Sequence, residues 1–161
     1  MKHLPKHLRP RWRYLAVELE TWPDERIGRR SFQRELWYAG QNLLGDPGSA
    51  DADLTVVRFE FADGTGDAVV KARRGETEPA RAALACIDGI DGAPVGVRVR
   101  GISGTIRAAE ENYLGRDRQD LGERNVVFGN EERAAVLRDD VGDVRFDEAF
   151  VGATDLDYHL V

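Results

Sequence analysis

Residues 12–20, WRYLAVELE, alternate in polarity, with Leu15, Val17 and Leu19 on one side and Tyr14, Ala16 and Glu18 on the other. That period of two predicts a half-buried strand. Pro23 and Gly28 break the pattern. Ser31 then stands as a helix N-cap, followed at helical spacing by Phe32, Leu36, Ala39, Gly40, Leu43 and Leu44. Gly45 is the expected C-cap glycine, and DPGSADAD the loop after it. Residues 54–62 predict a second strand, with Val57, Phe59 and Phe61 on one face. DGTGD reads as a hairpin turn and 68–73 as the return strand. A second helix follows, with Pro79 in its first turn and an apolar stripe of Ala80, Ala83, Leu84, Ile87 and Ile90. A fourth strand, VGVRVRGI, puts Val95, Val97 and Val99 on one face. Ser103-Gly104-Thr105 and a short helical stretch come after it.

The order β-α-β-β-α-β predicts an α/β (α+β) protein of ferredoxin-like, RRM-like type: an antiparallel four-stranded sheet with two helices on one face. We place this core, with its basic N-terminal arm, at residues 1–115. Residues 116–161 form a C-terminal acidic extension. Within it RNVVFG and RAAVLR fit a hairpin, and the remainder alternates weakly, a pattern equally open to partial disorder.

Charge sharpens the division. The net charge is −6, yet residues 1–115 carry equal numbers of basic and acidic side chains, and the whole acidic excess falls in 116–161. Lys2, Lys6, Arg9, Arg11 and Arg13 precede the first acid, Glu18. The chain therefore reads as a basic arm, a neutral body and an acidic tail. Arg outnumbers Lys 20 to 3. That bias favours bidentate phosphate contacts, and it equally fits a GC-rich genome or a salty cytoplasm. The single cysteine, Cys86, excludes an internal disulfide and reads as a core residue of the second helix. No run approaches the ~18 apolar residues of a membrane span, and the N-terminus lacks the apolar run of a signal peptide, so a cytoplasmic location is expected.

Two regions bear on nucleic acid. In the arm, cations alternate with Pro5, Pro10, Trp12 and Tyr14; prolines would keep it extended along a phosphate backbone while rings meet bases. Otherwise it is a solvated tail. On the sheet, the face away from the helices would show Tyr14, Arg58, Lys71, Arg73, Arg98 and Arg100, with Glu60 as the acid of the middle strands. The third strand lacks the stacking rings of a standard RNA-recognition motif. Backbone contact, cover by a partner or the tail, or plain solvation all fit that face. Ser103-Gly104-Thr105 fits a glycine turn with a helix cap better than a phosphate site. His3 and His7 have helical metal-ligand spacing, but Pro5 interrupts any helix there. No nucleophile, base or metal cluster stands in order.

Three stretches carry a resemblance: LPKHLRPRWRYLAVELE (4–20), QNLLGDPGSADADLTVVRFE (41–60) and VRVRGISGTIRAAEENYL (97–114). In this order, on this frame, they resemble the archaeal ribonuclease P protein component 2 family, related to a subunit of the eukaryotic ribonuclease P and MRP particles. The likeness spans roughly residues 3–115 and leaves the acidic tail unexplained. It implies an RNA-binding subunit of the endonuclease that removes the 5′ leader from precursor tRNA. Catalysis there lies with the RNA and its Mg²⁺, and the chain itself binds no cofactor. The implied partners are ribonuclease P RNA, precursor tRNA within the complex, and a second protein subunit of barrel-like fold, in a two-plus-two assembly. The RNA-binding residues expected are Lys6, Arg9, Arg11, Arg13, Tyr14, Arg73, Arg98 and Arg100, with Ser103, Gly104 and Thr105 as a structural motif. A ferredoxin-like regulatory or scaffolding domain, or a stand-alone nuclease, are the competing readings.

Overall fold

A computed structural model describes residues 4–115, 122–138, 141–147 and 149–161. Strands β1 (Trp12–Glu20), β2 (Thr55–Ala62), β3 (Thr65–Arg73) and β6 (Gly96–Ser103) form one antiparallel sheet in the order β2-β3-β1-β6. Helices α1 (Arg29–Ala52) and α2 (Thr77–Ala85) bury Phe32, Leu36, Ala80, Ala83 and Leu84 in one cluster with Leu15, Val17, Val70 and their neighbours. This is the ferredoxin-like arrangement expected from the pattern of the chain.

Local departures have identifiable causes. α1 begins at Arg29 rather than at Ser31. Ser31 instead hydrogen-bonds the Asp91 carboxyl, which with Arg34 beside it is held below the usual carboxylate range. Gly45 does leave the helical conformation (φ 69°), but the chain resumes helix as far as Ala52, with Pro47 in the first turn of the second run, where a missing N–H is harmless. Leu43, expected in the apolar stripe, is exposed. α2 stops at Ala85, so Ile87 and Ile90 reach the core from the segment after it, which includes a small hairpin of β4 (Gly89–Ile90) and β5 (Ala93–Pro94). Cys86, just past the helix, is exposed and is not core. The β2–β3 turn is only Asp63-Gly64, both with positive φ as a two-residue hairpin needs, and β3 therefore starts at Thr65.

A bulge in β2 changes the faces. Val56 pairs with Val70 and Arg58 with Val69, leaving Val57 as the extra residue. Val56, Phe59 and Phe61 then face α1 and α2, whereas Val57 turns to the other side. That side is not open. Helix α3 (Ile106–Tyr113) lies across it and buries Ala109 against Ala16 and Val69, with Tyr14, Val57, Tyr113 and Leu114 packed around them. A second bulge, in β6 at Arg100, puts Gly101 opposite Ala16. Tyr113 lies so close to Gly101 that a Cβ there would fall 2.3 Å from its ring.

The tail is ordered over its described residues. Strands β7 (Glu123–Phe128) and β8 (Glu131–Arg138) are the expected hairpin; β9 (Val141–Phe146), β10 (Ala149–Thr154) and β11 (Tyr158–Leu160) complete a sheet ordered β10-β9-β8-β7-β11. Val126, Ala135, Val144, Ala153 and Tyr158 form its small core. Its two edge strands are joined by residues 155–157 alone, a link that spans at most ~14 Å. Edges of a flat five-stranded sheet lie ~19 Å apart, so this sheet must curl on itself. Asp157 caps the link: the Thr154 N–H and hydroxyl both donate to its carboxylate at 2.9 Å, which holds that carboxyl below its usual range.

Candidate nucleic-acid interface

β1 has two chemically different ends. At its start, residues 4–11 are exposed, and Lys6–Leu8 make one 3-10 turn, so the prolines do not keep the arm extended throughout. Arg9 Nε donates to the Leu4 carbonyl at 2.8 Å, and the Arg74 N–H donates to the Arg11 carbonyl at 2.8 Å, which ties the arm to the end of β3. Trp12 stands opposite Arg73 and Tyr14 opposite Lys71. The Lys71 ammonium sits 4.0 Å from the centre of the Trp12 ring, and the Arg73 guanidinium 5.5 Å. Arg13, part-buried, points near Gly104, and Tyr14 stands opposite Ser103, so the β6–α3 connection joins the same end.

The far end of β1 carries the tail. Arg138 pairs with Glu20 and, at 2.6 Å, with Asp143; Arg145 reaches Asp24 at 3.0 Å. Trp22 is buried edge-on against Phe150, with the Arg145 guanidinium over its ring. Between the tail and the sheet end lies a cavity of about 380 Å³ bordered by Glu18, Glu20, Arg98 and Arg138. Among the described residues the tail thus meets the far end of β1 and the segment that follows it.

This geometry sorts the expected contact residues. Lys6, Arg9, Arg11 and Arg13 gather at the start of β1, and among the described residues none of them pairs with a carboxylate. Arg73 is at the same end and makes a loose 3.6 Å pair with Asp53. Tyr14 is packed beneath α3. Arg58 is tied to Glu110 at 2.8 Å and Arg100 to Glu18 at 3.6 Å. Arg98 borders the cavity beside the tail, at the opposite end from the arm. Lys71, which the strand pattern put on the same face as Arg73, belongs to the basic end, and so does Arg74, which the pattern did not single out; the register of β1 on β3, invisible without the fold, brings them beside the arm.

The triplet after β6 has a structural part. The Thr105 hydroxyl accepts the Ala108 N–H at 3.1 Å and caps α3. Gly104 does not have positive φ, and a Cβ on it would meet nothing nearer than 3.7 Å. The steric demand expected at Gly104 falls on Gly101 instead. Among the described residues no group of three or more His, Cys, Asp and Glu is placed to hold a metal ion, and no helix is long and apolar enough to cross a membrane. His3 lies outside the described residues.

Residues 13–114 match the model of the Rpp14/Pop5 family. A protein named ribonuclease P protein component 2 from Haloarcula marismortui is 60% identical over 98% of this chain and 99% of its own length. One of the same name from Halorubrum lacusprofundi is 59% identical over 98% and 99%. Another from Methanosarcina mazei is 33% identical over 71% of this chain and 93% of its own length. The family match ends where α3 ends, so the curled tail sheet lies beyond it, while the alignments with the Haloarcula and Halorubrum proteins extend over its sequence. On its sequence match and its ferredoxin-like frame, the chain belongs to the Rpp14/Pop5 family.

Proposed function

We propose that the protein is an RNA-binding subunit of ribonuclease P, the endonuclease that trims the 5′ end of precursor tRNA, and that the RNA rather than this chain carries the catalysis. The observation that carries this reading is the near-full-length match to proteins named ribonuclease P protein component 2. The cations at the start of β1, which pair with no carboxylate among the described residues, support it, because they offer phosphate contacts at one end of the fold. Lys6, Arg9, Arg11, Arg13 and Arg73 are the residues we assign to RNA. Tyr14, Arg98 and Arg100 have lesser roles, since each is packed, remote or engaged elsewhere.

Partners follow from the same reading: the ribonuclease P RNA, precursor tRNA within the complex, and a second protein subunit, in a two-plus-two assembly in the cytoplasm. Exposed Trp37, Tyr38 and Leu43 on α1 suit a protein contact, being apolar and on one helix. Mg²⁺ would act through the RNA.

Reconstitution tests the reading. The pure protein should leave precursor tRNA intact, and added to its RNA with the other subunits it should lower the Mg²⁺ needed for cleavage, as its cations take over the screening of phosphates. Cleavage by the protein alone, abolished by a point substitution, would replace this reading with that of a stand-alone nuclease.

We also propose that the chain divides near residue 115 into a ferredoxin-like core and an acidic extension that folds upon it. A chain ending at residue 115 should remain folded, because the sheet and its three helices close without the tail. Removal uncovers chiefly Trp22, so circular dichroism should stay native with a modestly lower melting point. A molten product would make the tail an integral layer of the core.

A further inference from the structure

Trp12 is the indole whose surroundings are least explained by packing. Trp22 is buried against Phe150, and Trp37 donates its N–H to the Leu54 carbonyl at 2.9 Å. Trp12, half-buried, belongs to none of the three apolar clusters. Its neighbours across the strand are cations, the Lys71 ammonium at 4.0 Å from the ring centre and the Arg73 guanidinium at 5.5 Å; next along the chain, the Arg74 backbone N–H donates to the Arg11 carbonyl. It lies on the α3 side of the sheet, two residues before Tyr14, at the corner beyond the α3 cluster.

We propose that Trp12 is a stacking platform for one unpaired RNA base, with the phosphates on either side of that base held by Lys71, Arg73, Arg74 and Arg11. This rests on the RNA-binding reading above and narrows it to a single-stranded segment. The chemistry selects that class. A base in an A-form duplex has both faces covered by its neighbours, and only an unpaired base can lay a face on an indole. Stacking on an aromatic ring is stronger than an exposed ammonium over the same ring, so the base displaces Lys71. The displaced ammonium is then within reach of the adjoining phosphate. The ring and the charges are thus both supplied at one corner, which an ordinary solvated face does not require.

The test uses the full chain, a single-stranded oligouridylate of ten nucleotides, and an RNA duplex of equal length. Trp12→Leu should weaken binding of the single strand about tenfold and leave the duplex unchanged, while Trp12→Phe should keep most of the affinity. Single-stranded RNA should quench tryptophan emission in the wild type much more than in Trp12→Phe, a readout that does not depend on the leucine variant folding. Arg9→Ala with Arg11→Ala should weaken both ligands. If Trp12→Leu binds the single strand like wild type, or loses both ligands equally, the platform is wrong while the RNA-binding reading stands on the arginine result. If the wild type binds neither RNA, both readings fail.

Discussion

Gly101→Ala should destabilise the protein by about 1–3 kcal/mol, the usual cost of forcing a group into filled space. The added methyl would lie 2.3 Å from the Tyr113 ring, so α3 must lift or the bulge at Arg100 must shift. The sign is informative, because alanine normally gains over glycine within a strand. Tyr113→Ala clears the space, and adding it to Gly101→Ala should cost less than the sum of the two single changes, a coupling that thermal or urea melts measure directly. Gly104→Ala is the control: it meets nothing within 3.7 Å and should melt like wild type. A neutral Gly101→Ala would mean that α3 is not seated on that face as described.

The second large effect concerns the arm. Replacing Arg9, Arg11 and Arg13 together by alanine should flatten the dependence of log affinity for the ribonuclease P RNA on log salt. The slope should fall by about 0.7–0.9 for each phosphate that the protein no longer neutralises. Arg9 and Arg11 are exposed, so their replacement should leave the fold intact; Arg13 is part-buried, and its single variant needs its own melt. Arg58→Ala and Arg100→Ala are the comparison, because Glu110 and Glu18 already engage those guanidiniums. An unchanged slope in the triple variant, set beside a changed one in the comparison pair, would move the RNA-binding surface from the arm to the sheet.

Much of the frame was legible because alternation in β1 and β6 and the spacing of Phe32, Leu36, Ala80, Ala83 and Leu84 record burial directly. What was hidden had physical reasons. A bulge leaves composition untouched while it reverses every later side chain, so Val57 was assigned to the wrong face. α3 is short, with one fully buried residue, Ala109, and nothing in its pattern states that it crosses the sheet. It packs on Tyr14 and pairs its Glu110 with Arg58, side chains that the strand pattern had placed in the open. Ile87 and Ile90 continued a helical stripe by spacing alone, although the helix had already ended at Ala85. The tail strands are brief and weakly alternating, and a sheet that curls needs only a few buried residues, so order there was hard to read. For the interface, the arm's charges were visible as a run; the company of Trp12, Lys71 and Arg74 depended on strand register.

The placement of arm and tail at opposite ends of β1 makes the molecule an electric dipole. The two ends are separated by about 26 Å of strand, several times the ~8 Å screening length at physiological ionic strength. A polyanion approached from a distance meets a net charge of −6 and repels the protein weakly, but its field also exerts a torque that turns the basic end forward. Once that end is docked, the acidic tail lies beyond the reach of the same phosphates. Near 1 M salt the screening length shrinks to ~3 Å and the torque vanishes, leaving orientation to be found by collision. Encounter rate should then respond to salt through rotation as well as attraction, and a net negative charge is no bar to binding RNA.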